Sequence, residues 1–213
     1  SADLTIQHDG SHSYVKDAGT GNLFLDSVAG SAIIRVNDGY NALEAIGGGA
    51  VNISHNGNTK IATASTGVNV TGGIGLGGTG AANILDDYEE GVITATASPD
   101  TSGSITFNST NNHLAYTKVG RMVTITGLLV IDSVSSPAGT YVRILGLPFT
   151  IGNLDGLSER TSPCVNYFDQ SEGGYVATPA ITVGSVTEFR IWRTPNTWTA
   201  SDSVYINFNY FTD

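Results

Sequence analysis

The densest charge in the chain is the stretch LDDYEEG, residues 85–91, with carboxylates at Asp86, Asp87, Glu89 and Glu90. Paired carboxylates cleave a glycosidic bond when they stand ~5–9 Å apart on opposite sides of it, usually from different strands. Neighbours in a linker do not supply that geometry. A calcium loop alternates its oxygen ligands and turns on a glycine, and DDYEEG lacks that spacing. The cluster therefore reads as a solvated acidic collar. A second set is a histidine pair. His8 and His55 end the strand-like stretches LTIQH and VNISH, in phase with Leu4 and Ile6 and with Val51 and Ile53. Histidines converging on an axis could hold a metal or an anion. The alternative is that each closes its own HDG or HNG turn through local hydrogen bonds. Other chemistry finds little support. Ser, His and Asp are present without a GxSxG elbow, and the glycine-rich TGGIGLGGTGAA (71–82) lacks the Lys-Ser/Thr ending and helix of a phosphate loop. The lone Cys164 excludes an intrachain disulfide or a multi-cysteine zinc site and reads as a small buried residue. No catalytic residue and no cofactor is expected.

The aromatic residues carry a different kind of chemistry. Trp198 sits in the turn-rich TPNTWTASD, and Tyr167, Phe168 and Tyr175 flank an acidic, glycine-containing turn in NYFDQSEGGY. Rings among polar loop residues suit stacking on a sugar, with amides and hydroxyls taking the sugar oxygens. They equally suit a seam between subunits, where aromatics are enriched. Phe189 and Ile191 alternate with Arg190 and Trp192, so one pair belongs to a core and the other faces outward. Trp198, Tyr167, Phe168, Tyr175, Trp192 and Arg193 are therefore the candidate binding residues.

These residues need elements to position them, and the pattern is β throughout. Charged residues are 13% of the 213, hydrophobic residues 40%, and Val, Ile and Thr recur along the chain. A net charge of −10 argues against nucleic acid. No apolar run approaches the ~20 residues of a membrane span. Sixteen of the 27 glycines precede residue 81, whereas all six prolines and fifteen of the aromatics follow it. The composition thus predicts three segments: a β-repeat over 1–71, a glycine-rich connector over 72–85 and a distal β domain over 86–213.

In the first segment, LTIQH, SYVKD, NLFLD, AIIRV, ALEAI, VNISH, KIATA and VNV are short strands between turn residues. Leu4-x-Ile6-x-His8-Asp9-Gly10 recurs as Val51-x-Ile53-x-His55-Asn56-Gly57. So few aromatics cannot bury a core large enough to offset chain entropy. Either identical chains share a core about a threefold axis, or the repeats stack as a solenoid. In the distal segment, VITATAS, SITFNS, HLAYTKVG, RMVTITGLLVID, TYVRILG, CVNYF, YVATPAITV, TEFRIWRT and SVYINFNYFT alternate as in a β-sandwich of jelly-roll type. Val123, Ile125, Gly127, Leu129 and Ile131 share one face, as do Val204, Ile206, Phe208 and Tyr210.

DLTIQHDGSHSYVKDAGTGNLFL, NGNTKIATASTGVNVTG, ILDDYEEGVITAT and YTKVGRMVTITG resemble tail-fibre and other receptor-binding fibre proteins of tailed bacteriophages, cyanophages especially. The likeness covers most of residues 3–130. It implies a homotrimeric virion fibre, a slender β stalk ending in a knob that binds a host surface glycan or envelope protein. Other tail or baseplate proteins would be met through a part preceding residue 1, since the chain opens SADLTI without Met and enters a strand pattern at once. At a trimer neck the acidic collar could share a cation, and His8 and His55 could meet an axial metal or anion. The rival functions are a polysaccharide-degrading tailspike and a purely structural fibre without receptor contact.

Overall fold

The computed structural model describes residues 3–78, 80–153 and 161–212. The chain divides into two compact units, Ser1–Ile74 and Gly75–Asp213. Both are built of antiparallel sheets, and the protein is all-β, with two single 3-10 turns among the described residues.

In the first unit, β1 (Leu4–His8) and β2 (Ser13–Asp17) form a hairpin. Next, β3 (Ser31–Val36), β4 (Tyr40–Ile46), β5 (Val51–His55), β6 (Asn58–Ala64) and β7 (Gly67–Val70) form a meander in chain order. The two copies of the repeat become two hairpins with different turns. Asn56 (φ 50°) and Gly57 (φ 76°) both adopt the left-handed conformation of the tight two-residue turn that Asn-Gly favours. The first turn is wider and is organised by Asp9. Its carboxylate accepts the His12 and Ser11 amides at 2.8 and 2.9 Å and the Tyr14 hydroxyl at 2.9 Å. These bonds, the His12 amide first, hold the Asp9 pKa below its ordinary value.

The expected strand NLFLD does not form, and residues 21–30 carry no ladder. An apolar alternation becomes a strand only when a neighbour takes its backbone groups, and this unit offers that segment none. Phe24, Leu25 and Val28 are left exposed, Val28 at 97%. The whole unit shares this condition. Among its described residues no side chain is buried, and Ile6, Val15, Ile34 and Val68 stand more than half exposed.

β8 (Ile74–Gly75) and β9 (Ile84–Leu85) make a two-stranded ribbon, in which the Leu76 amide donates to the Asn83 carbonyl at 2.8 Å. The second unit then opens with β10 (Tyr88–Thr94), β11 (Thr96–Pro99), β12 (Ser102–Phe107), β13 (His113–Val119) and β14 (Met122–Ala138). It continues with β15 (Val142–Leu145), β16 (Cys164–Asp169), β17 (Gly174–Thr178), β18 (Ala180–Thr182), β19 (Glu188–Ile191) and β20 (Ser203–Phe211). A large sheet runs β10-β13-β14-β20-β16-β17, with β12 on the far end of β14. A smaller sheet runs β11-β15-β19-β18.

One core lies between them. From the large sheet come Leu114, Val123, Ile125, Leu129, Ile131, Val204, Ile206, Phe208 and Tyr210; from the smaller, Val142, Ile144, Phe189 and Ile191. These are the residues that alternation assigns to one face. Gly127 belongs to the same face and pairs with Leu114. A Cβ there would lie 2.8 Å from the Leu114 side chain, so glycine makes room for leucine. Two expected strands are split between sheets. VITATAS turns at buried Ala95, whose amide bonds the Asn112 carbonyl, and YVATPAITV breaks at Pro179, which lacks a ladder donor.

Candidate functional site

The acidic stretch proves to be part of the second unit's frame. Tyr88, Glu89 and Glu90 open β10, which pairs with β13, so they lie in a strand and not in a linker. Asp87 forms an ion pair with the buried Lys118, whose ammonium stands 5.1 Å over the Phe149 ring. Tyr116 donates its hydroxyl to Glu89, and Tyr88 donates to Glu90 at 2.8 Å. Adjacent positions in a strand point to opposite faces, so Glu89 and Glu90 cannot flank one bond. Asp86 is exposed.

His8 faces Ser13 across the first hairpin, with 3.2 Å between Nδ1 and the Ser13 hydroxyl. His55 pairs with Asn58 beside the tight turn. Each histidine thus sits at the mouth of its own turn. Among the described residues no group of three His, Cys, Asp or Glu side chains is placed to hold a metal.

The aromatic candidates separate sharply. Trp198 is 1% exposed and Tyr167 is fully buried, with ring centroids 5.3 Å apart. The expectation of an exposed indole at Trp198 is therefore wrong. The loop of turn residues folds inward over the core, held by Asp202. That buried carboxylate accepts the Thr199 amide and hydroxyl (3.0 and 2.6 Å), the Gln170 amide (3.0 Å) and the Tyr167 hydroxyl. Tyr167, Phe168 and Tyr175 belong to strands rather than to a loop. Tyr167 points inward from β16, whereas Phe168 points outward opposite Tyr175 of β17. Phe168, Tyr175 and Tyr205 form a surface cluster with centroids 4.8 and 5.8 Å apart, and Tyr175 is 66% exposed. Cys164 is exposed, not buried. It shares the outward parity of Asn166 while Val165 and Tyr167 take the core, a signal the alternation already carried.

Trp192 is an exposed ring beside a cleft. It follows the core pair Phe189 and Ile191, stands 47% exposed, and donates its amide to the Pro179 carbonyl at 2.8 Å. Its ring lies 5.0 Å from Tyr141, which in turn carries the Arg190 guanidinium at 5.0 Å. A cleft of about 260 Å³ opens beside it, lined by Val176, Ala177, Thr178, Pro179, Arg193, Thr194 and Thr197. The Thr197 and Thr178 hydroxyls donate to backbone carbonyls at 2.7 and 3.1 Å, leaving their lone pairs to accept. Arg193 is largely committed. Its guanidinium lies 4.0 Å over the Tyr167 ring, with Asp169 at 3.5 Å and the Thr197 carbonyl at 3.3 Å. Asp169 accepts the Ser171 hydroxyl at 2.6 Å and, chiefly for that reason, titrates below its ordinary value. Tyr141 and the threonines escaped notice in the sequence because their roles depend on the small sheet meeting the loop after it.

The two deepest tyrosines set an alkaline limit. Burial pushes the phenols of Tyr167 and Tyr210 well above their ordinary value, and the Asp202 carboxylate adds to the effect at Tyr167. The folded unit therefore favours the neutral phenols. That stability is fully present below the unfolded tyrosine value near pH ~10 and declines as the pH rises past it. The midpoint of denaturant unfolding is expected to fall above pH ~10. Tyrosinate absorbance from these two residues should appear together with loss of near-ultraviolet dichroism. Full ionisation of all nine tyrosines in a still-folded protein would contradict this.

Fold and cleft define an all-β protein whose second unit is a two-sheet sandwich bearing a small depression beside Trp192, rimmed by threonines and Arg193. No protein-family profile matches the chain, and no curated protein matches it either. Among solved structures the chain is similar to the crystal structure of the Dettilon tailspike protein, at 19% identity and a TM-score of 0.36. The alignment covers 58% of this chain and 23% of that one, so this chain spans about a quarter of the tailspike's length.

Proposed function

We propose that this chain is a homotrimeric virion fibre protein of a tailed bacteriophage, and that its second unit adheres to a host surface glycan. The observation that carries the reading is the contrast in burial. The first unit buries none of its described residues, while the second has a complete core. A chain built this way needs copies of itself along one stretch and stands alone along the other, as a stalk and a knob would. The fibre-like phrases in residues 3–130 supply the virion context. The protein would act on the outside of the virion, by binding and without chemistry, and would join the tail or baseplate through other proteins.

Within the second unit, the Trp192 cleft fits a neutral sugar better than an acidic one. The indole offers a flat apolar face backed by Tyr141, threonine hydroxyls and backbone groups rim it, and the chain's charge of −10 repels anions. Incubation with host envelope polysaccharide tests the proposal: retention without shortening of the polymer supports it, shortening makes the protein a depolymerase, and neither leaves a structural fibre. Trp192→Ala is expected to weaken retention by about 1–3 kcal/mol, the range for an aromatic anchor. Its melting temperature should hold. Unchanged retention would remove Trp192 from the site.

A further inference from the structure

We infer that the outward face of the large sheet is the surface through which the second units of neighbouring copies pack. This rests on the proposal that the chain is a homotrimer and adds where the copies meet. The face spans β10, β13, β14, β20, β16 and β17. It carries exposed Val92, Val119, Met122, Phe211, Tyr205 and Tyr175. Its remaining outward positions are mostly threonine, asparagine and alanine. Val119, Met122 and Phe211 are neighbours on three adjacent strands, and Phe168, Tyr175 and Tyr205 cluster at the opposite corner; exposed apolar groups of this kind mark an interaction site.

Charge selects the occupant. Each chain carries a net −10, so copies approach one another against repulsion. Across the described outward positions of these six strands, Glu90 and Asp132 are the two Asp, Glu, Lys or Arg residues. Glu90 lies on the edge strand, bonded to Tyr88, and Asp132 lies beyond the last β14–β20 pair. A face with its charge confined to the margins on an acidic protein is where another acidic copy can sit. Size agrees. Six strands at ~4.8 Å spacing and ~25 Å length present on the order of 600 Å² in plan, near the ~800 Å² per partner of a standard interface. Shape agrees too. Thr126, Leu128, Cys164, Asn166, Tyr205 and Asn207 surround a recess of about 370 Å³ near the centre of the face, able to receive a neighbour's side chain. Closed rotational symmetry then brings this face of each copy toward the common axis.

Cys164, the single thiol, stands in that recess and reports on it. The full-length protein is first weighed by light scattering and then reacted with a maleimide, native and denatured. In the native assembly Cys164 should react slower than in denatured chains by on the order of 100-fold, because a thiol's reactivity depends on access. Tyr205→Asp and, separately, Asn207→Lys place a charge on the face. Either folded variant should restore fast reaction, with circular dichroism confirming the β fold. An assembly in which Cys164 reacts fast overturns the assignment while leaving the trimer intact. A monomer defeats the trimer itself and the assignment with it. Protection that persists in both folded variants, or that arises only when host polysaccharide is added, also overturns it, the latter making the face a glycan site.

Discussion

Asp202→Ala is expected to destabilise the second unit by about 3–5 kcal/mol, since a buried acceptor lost leaves its donors unsatisfied at roughly 1–3 kcal/mol each. Asp202 is fully buried and gathers four donors from three places: Thr199 in its own loop, Gln170 in the β16–β17 turn, and Tyr167 in the core. Removing it frees the loop that carries Trp198 over the core and loosens the turn beside Arg193. Asp202→Asn keeps one acceptor of the same shape and should lose less. Tyr167→Phe deletes one donor, and a cost near ~1–2 kcal/mol is expected from the broken bond and the carboxylate oxygen left behind. Denaturant melts of the three variants give the ranking. An Asp202→Ala protein within ~0.5 kcal/mol of the parent, the range of ordinary surface changes, would show that the network carries no stability.

Cutting the chain between the units is expected to have the other large effect. Residues 75–213 expressed alone should unfold cooperatively, because their core is complete within the chain. Residues 1–74 alone at micromolar concentration should give the dichroism of an unordered chain. With no buried side chain among the described residues, their apolar burial cannot offset a backbone entropy cost of ~1–2 kcal/mol per residue. A folded, monomeric 1–74 fragment would defeat both the assembly argument and the proposed stalk.

Much of the second unit was legible because a two-layer core imposes period-two alternation. Val123 to Ile131 and Val204 to Tyr210 took the predicted shared face, and of the two alternating pairs at 189–192 it is Phe189 and Ile191 that lie in the core. The alternation offered Trp192 as one of two candidate outward residues, and it is the exposed one. The failures also have physical causes. NLFLD has the pattern of a strand, but pattern does not supply a ladder partner. Ala95 and Pro179 break runs that read as continuous, because a chain that turns a corner between sheets keeps its alternation. Trp198 was misjudged because turn residues report backbone conformation and not direction. The loop of Thr, Asn, Pro and Ser closes inward once Asp202, several residues on, can bind its amides. No local signal announces a carboxylate whose donors come from Tyr167 and Gln170, far upstream.

The pairing of β14 with β20 bears on how the two units reach their folds. Met122 lies opposite Phe211, and β20 fills the place between β14 and β16. The middle of the large sheet therefore waits for a strand far along the chain, and loop-closure entropy must be met before the sheet can close. In the first unit every strand pairs with its sequence neighbour, so each hairpin can nucleate within microseconds. If the first unit is completed by other copies, as proposed, the unit with the quickest local steps would be the one that finishes last: its hairpins would wait on the slower sandwiches, whose association would raise the local concentration of the segments they carry. The slow domain would thereby set the clock for the fast one.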